Sequence, residues 1–135
     1  MSDLLIPADL EWVVRDYLTE RFAAEGWGDL NGDTKLREHQ SQTVLFTTGG
    51  SERTLVSSES RFVFDSYEAR EAPAQKRAAR VFALVKDLHS RRVGDVQFYD
   101  ITPTVPFNYP DPRTPDLHRY QFNALIHARH VRGTS

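Results

Sequence analysis

From His118 to Val131 the chain alternates. Tyr120, Phe122, Ala124, Ile126 and Ala128 fall on one side, and Arg119, Gln121, Asn123, His127 and Arg129 on the other, interrupted only by Leu125. A period of two over this length predicts a strand buried on one face. The fold must therefore contain a sheet with one apolar face and elements that cover it.

Two amphipathic helices supply that cover. In the first, predicted from about Pro7 to Glu25, Leu10, Val13, Val14, Tyr17, Leu18 and Phe22 recur at three- and four-residue steps. Pro7 suits a first helical position, and Gly26 suits a stop because it takes a left-handed conformation without a Cβ penalty. Trp27, in the turn-rich run Gly26 to Asp33, is expected to pack back on this helix. The second helix is predicted over Pro73 to His89. Ala74, Ala78, Val81, Phe82, Val85 and Leu88 form its stripe, while Gln75, Lys76, Arg77, Arg80 and Lys86 face away.

Between and after the helices, strands are expected at Lys35 to Glu38 (weakly), Thr43 to Thr48, Thr54 to Val56, Arg61 to Tyr67 and Val96 to Ile101. Gly49-Gly50 reads as the hairpin turn. Pro103, Pro106, Pro110, Pro112 and Pro115 rule out a regular ladder there, so residues 102–117 are expected to form an extended loop. The expected fold class is α+β: a mostly antiparallel or mixed sheet of four to five strands with two helices packed on it. With 135 residues and no linker, residues 1–135 are expected to form one domain.

Composition excludes several chemistries. The absence of cysteine removes disulfides, Fe–S clusters, thiolate zinc sites and a cysteine nucleophile. Lys plus Arg number 17 against 19 Asp plus Glu, a net charge of −2 that gives no global case for a nucleic-acid binder. The start of the chain has an acid where a signal peptide needs basic residues, and its apolar run stops at Pro7. The longest apolar run, Val81 to Val85, is far below the ~20 residues that span a bilayer. A soluble, unexported protein is expected.

No motif carries catalysis. Of His39, His89, His118, His127 and His130, only His127 and His130 have ligand-like spacing, and a separation of three sends them to opposite faces of a strand. Asp95, Asp100, Asp111 and Asp116 form no recognisable acid pair, no G-x-S-x-G elbow is present, and Gly26-Trp27-Gly28 follows a helix where a dinucleotide fingerprint follows a strand. The expectation is no enzyme activity and no cofactor. Lys76, Arg77 and Arg80 are either a solvated helix face or a basic patch for an acidic partner.

Apolar strand is in surplus. Val44-Leu45-Phe46 and Phe62-Val63-Phe64 are consecutive, whereas a one-sided sheet needs apolar residues only at alternate positions. A second chain or a long loop folding back would cover the excess. The expected interface residues are Phe107, Tyr109 and Arg113 in the Pro-rich loop, then Thr47 and Arg53 in the hairpin region.

The whole-chain order resembles the tail terminator proteins of long-tailed bacteriophages. The resemblance rests on the opening helix LEWVVRDYLTERF, on the strand and Ala-rich helix RFVFDSYEAREAPAQKRAARVFALVKDL, and on the ending VQFYDITPTVPFNYPDPRTPDLHRYQFNALIHARH, whose RYQFNALIHAR is especially like members from phages of actinobacteria. It implies an α+β virion subunit that closes a hexameric ring on the head-proximal end of the tail tube. That ring stops polymerisation of the major tail tube protein and presents a surface to the head-completion (stopper) protein. DNA would pass through its lumen without specific binding, and no membrane is involved. The location implied is the virion tail, with assembly in the host cytoplasm. Another head–tail connector is the alternative, followed by a small ligand-binding or enzymatic α+β domain.

Overall fold

The structure, a computed structural model, describes residues 4–37 and 40–133. In chain order its elements are β1 (Leu5–Ile6), α1 (Leu10–Ala24), β2 (Gly32–Asp33), β3 (Gln42–Thr54), β4 (Ser57–Glu68), α2 (Glu71–Lys86), β5 (Arg92–Val93), β6 (Val96–Pro103), β7 (Phe107–Asn108), β8 (His118–Arg129) and β9 (Val131–Arg132). β1 and β9 form a separate two-stranded ribbon. The main sheet has seven strands in the order β2-β3-β4-β8-β6-β5, with β7 also paired to β8. All of its pairs are antiparallel except β2 with β3.

The expectation of four to five strands is therefore corrected, while the α+β class stands. The reason is length: β2, β5 and β7 contribute two residues each, too few to leave a periodic signal in sequence. The strand expected at Lys35 also shifts, because pairing begins at Gly32–Asp33; Glu38 lies outside the described residues, as does His39.

α1 buries Leu10, Val14, Leu18 and Phe22, one residue per turn. It starts three residues later than Pro7 suggests, because Leu5 and Ile6 pair with β9 first. Gly26 ends it at φ +78, with Trp27 N–H donating to the Phe22 carbonyl at 3.1 Å, and the Trp27 ring meets Phe22 edge-on at 5.5 Å. α2 buries Ala74, Arg77, Ala78, Val81, Leu84 and Val85. Both helices cover the sheet face that carries Leu45, Phe62, Phe64, Phe122 and Ile126. Phe64 stacks on Phe122 at 4.8 Å and on Phe62 at 5.7 Å, forming an aromatic spine across β4 and β8.

The β3–β4 hairpin turns later than Gly49-Gly50. Register continues from Gln42↔Tyr67 to Thr54↔Ser57, shifting between Thr47 and Gly50, and the reversal is made by Leu55 and Val56. The glycine pair is a bulge. Gly49 sits at φ +105, and a Cβ on Gly50 would lie 2.1 Å from the Glu59 carbonyl oxygen, so the partner strand comes too close for any side chain.

Candidate interaction face

With both helices on one face, the other face of the sheet determines what the molecule presents. Alternation sends Asp65 and Tyr67 of β4 and Arg119 and Gln121 of β8 outward, and the register pairs Asp65 with Gln121 and Tyr67 with Arg119. The Pro-rich segment folds back over them. It is only partly a loop: Phe107 and Asn108 pair with Gln121 and Tyr120, and Tyr109 N–H donates to the Arg119 carbonyl at 2.9 Å. The expected loop is also shortened at its start, because Thr102 and Pro103 still belong to β6, opposite Leu125 and Ala124; proline-free Phe107–Tyr109 adds a second short ladder.

Beyond β7, side chains take over from the ladder. Asp111 accepts the Tyr67 hydroxyl at 3.0 Å, the Arg113 guanidinium at 2.9 Å and the Arg113 backbone N–H at 3.0 Å. Arg119 donates from Nε to the Tyr109 carbonyl at 2.6 Å and stands 4.3 Å from that ring's centroid. It also bridges Asp65 at 3.6 Å and Asp111 at 3.7 Å. These three charged residues are only 4%, 4% and 8% exposed for Asp65, Asp111 and Arg119, so the pairing is what makes their burial tolerable.

The electrostatics follow from the partners. The Arg113 hydrogen bond holds the Asp111 carboxyl well below the usual carboxylate range, with Tyr67 and Arg119 adding to it. Burial pushes Asp65 up, opposed by the Gln121 hydrogen bond and the charge of Arg119. Burial, then the charge of Asp65, pushes the Tyr67 hydroxyl up to about 12. Beside this cluster opens a cavity of about 530 Å3, with Val44 and Phe46 on one wall and Lys35, Arg113 and Thr114 on another.

Along the same face runs an apolar groove of about 340 Å3 between Val63, Leu125, Pro103 and the threonines Thr48 and Thr102. The apolar surplus is mostly enclosed by the chain itself: Val44, Leu45, Phe62 and Phe64 are buried, and only Phe46 and Val63 stay half-open. The need for an outside cover is thus narrowed to this strip.

At the far end of the face, Arg53 contacts Asp100 at 3.2 Å, Glu59 at 3.6 Å and His127 Nδ1 at 3.2 Å. His127 Nε2 lies 2.7 Å from Ser57 Oγ. Because the arginine can only donate, Nδ1 accepts and Nε2 carries the proton toward the serine. That tautomer cannot take a proton from Ser57, so the pair lacks the polarity of a nucleophile and base. His130 bonds Ser58 instead, on the opposite face, as a period of two requires.

The residues expected at an interface meet different fates. Phe107 and Tyr109 are 44% and 48% exposed, with rings 5.7 Å apart, while Arg113 is tied to Asp111 with its side chain largely in solvent. Thr47 is not near the hairpin tip; its N–H donates to Glu11 at 2.8 Å in mid-strand. Arg53 belongs to the charged cluster. The basic patch is broken up: Lys76 is exposed, Arg80 lies 5.0 Å from the Trp27 ring, and Arg77 is buried, donating to Glu68 at 2.7 Å and to the Leu30 carbonyl at 2.8 Å. Arg77 stands three residues after Ala74 and four before Val81, on the buried stripe itself; that spacing was the available signal. Sequence reasoning missed the grouping of Asp65, Tyr67, Asp111 and Arg119, which come from three separate segments with no motif. Among the described residues no three His, Asp or Glu side chains are placed to hold a metal ion. No protein-family model and no curated protein matches this chain.

Proposed function

We propose that this chain is a ring-forming structural subunit of a phage tail, a tail terminator that caps the tube, stops its growth and joins it to the head-completion protein. The observation that carries the reading is the second face of the sheet, which residues 107–117 cover only at one end. Two helices cover one face, while the other keeps the half-open Phe46–Val63 strip and the exposed Phe107–Tyr109 pair available for protein contact. The order of helix, hairpin, Ala-rich helix and closing strands supports the same reading. The mechanism is binding without turnover: identical subunits close head to tail, one ring face matches the tube, and the other refuses a further tube subunit.

The test is to add the purified chain to tail tube protein during polymerisation and image the ends by electron microscopy. Tubes of arrested length bearing a sixfold ring at one end are expected. Tubes that grow on with bare ends would overturn the proposal. A second reading, a small-ligand domain, draws on the cavity beside Lys35 and Arg113. A thermal-shift screen with phosphate and common carboxylates checks it, a large rise favouring the ligand.

A further inference from the structure

We propose that the open part of the sheet face of one copy is covered by the exposed stripe of α1 of the next copy, with Trp12 seated in the apolar groove and Glu20, two turns further along, aimed at Lys35. The inference rests on the ring-forming reading and adds the two surfaces that meet.

The stripe is unusual for a solvent face. Trp12 is 53% exposed, and the Arg15 guanidinium lies 3.9 Å from its ring centroid, so a large apolar anchor is held in place at the surface. Asp16 and Glu20 follow it at four-residue steps and are also exposed. One helical turn rises about 5.4 Å, which places Glu20 roughly 12 Å along the axis from Trp12.

The sheet face has the complementary layout. The groove is centred on Val63 and Leu125. Further along β4 in one direction, Asp65 and Tyr67 line the cationic cavity, about 7 and 13 Å from Val63 at the rise of a strand. Lys35 and Glu20 each lack an ion-pair partner among the described residues. Lys35 lines that same cavity, so an indole seated over Val63, with the helix running along β4 toward Tyr67, places Glu20 on the side of Lys35. Apolar anchor meets apolar groove, and unpaired anion meets unpaired cation.

Topology adds a further argument. α1 lies on the helical side of the sheet and the groove on the other, so the contact joins two different surfaces. Such a heterologous contact can repeat from copy to copy and close a ring, whereas a self-complementary patch stops at a dimer.

The test uses the full chain in three forms: wild type, a helix-side variant (Trp12→Ala with Glu20→Lys) and a sheet-side variant (Val63→Asp). Lys35→Glu, at an exposed position, replaces the last if Val63→Asp alters the circular dichroism or melting. Sedimentation velocity over a concentration series is expected to show wild-type oligomers, with association at least about tenfold weaker in each variant alone. Mixing the two variants should restore one-to-one dimers, since each then keeps one intact surface. A wild type that stays monomeric, oligomers that survive either variant, or mixtures that fail to pair would overturn this contact. The ring reading falls separately, on uncapped tubes.

Discussion

The Tyr67 hydroxyl donates to the Asp111 carboxylate at 3.0 Å across 44 residues of sequence, with both side chains buried. This bond joins the end of β4 to the part of the Pro-rich segment that follows the short ladder of Phe107 and Asn108 on β8. Tyr67→Phe removes a hydrogen bond to a charged acceptor at no cost in shape. A loss of about 1.5–3 kcal/mol in denaturant unfolding is expected, with faster amide exchange at 110–117 than in β8.

The same tyrosine makes the protein sensitive to alkali. Its hydroxyl ionises near 10 when unfolded and at about 12 when folded, so the folded state holds the proton more tightly. The resulting stability is complete below pH ~10 and is lost as pH rises toward 12. Melting temperature measured across that window should fall in the wild type and fall less in Tyr67→Phe.

His127 governs the weakly acidic side. Burial and then the nearby Arg53 lower its affinity for a proton, so the unfolded chain, protonating near 6.5, gains on the folded one as pH falls. The contribution is present above that value and lost below it. Ring-proton NMR titration should place the His127 midpoint below that of an unfolded peptide, and Arg53→Gln should raise it.

Gly50→Ala separates a bulge from a turn. The new methyl would collide with the Glu59 carbonyl, so β3 and β4 must part locally. A destabilisation of about 1–3 kcal/mol is expected. A solvent turn at this site would tolerate the change, and equilibrium unfolding distinguishes the two.

Two phenylalanines should behave oppositely. Phe122 is fully buried against Phe64, and Phe122→Ala should cost about 3–5 kcal/mol. Phe107 is half in solvent, and Phe107→Ala should change stability by less than about 1 kcal/mol; under the proposed tail-capping role it should also reduce joining of tails to heads. Chemical denaturation and an in vitro joining assay read the two effects.

What the chain spells out locally was legible. The buried residues of α1, the alternation of β8 and the stop at Gly26 are repeats or single-residue geometries that neighbours in sequence dictate. Arg77 was legible in part, since its spacing lay on the stripe although its charge argued against burial.

Sequence by itself determined two amphipathic helices, a sheet with one apolar face and hence the α+β class, because periods of 3.6 and 2 are set within a few residues. Only the tertiary structure decided that Gly49-Gly50 is a bulge, that two-residue strands widen the sheet to seven, and that Asp111 meets Tyr67 beneath the Pro-rich segment. Those outcomes depend on which distant strand lies alongside, in which register, and on whether a buried charge finds its partner, none of which is written in local order.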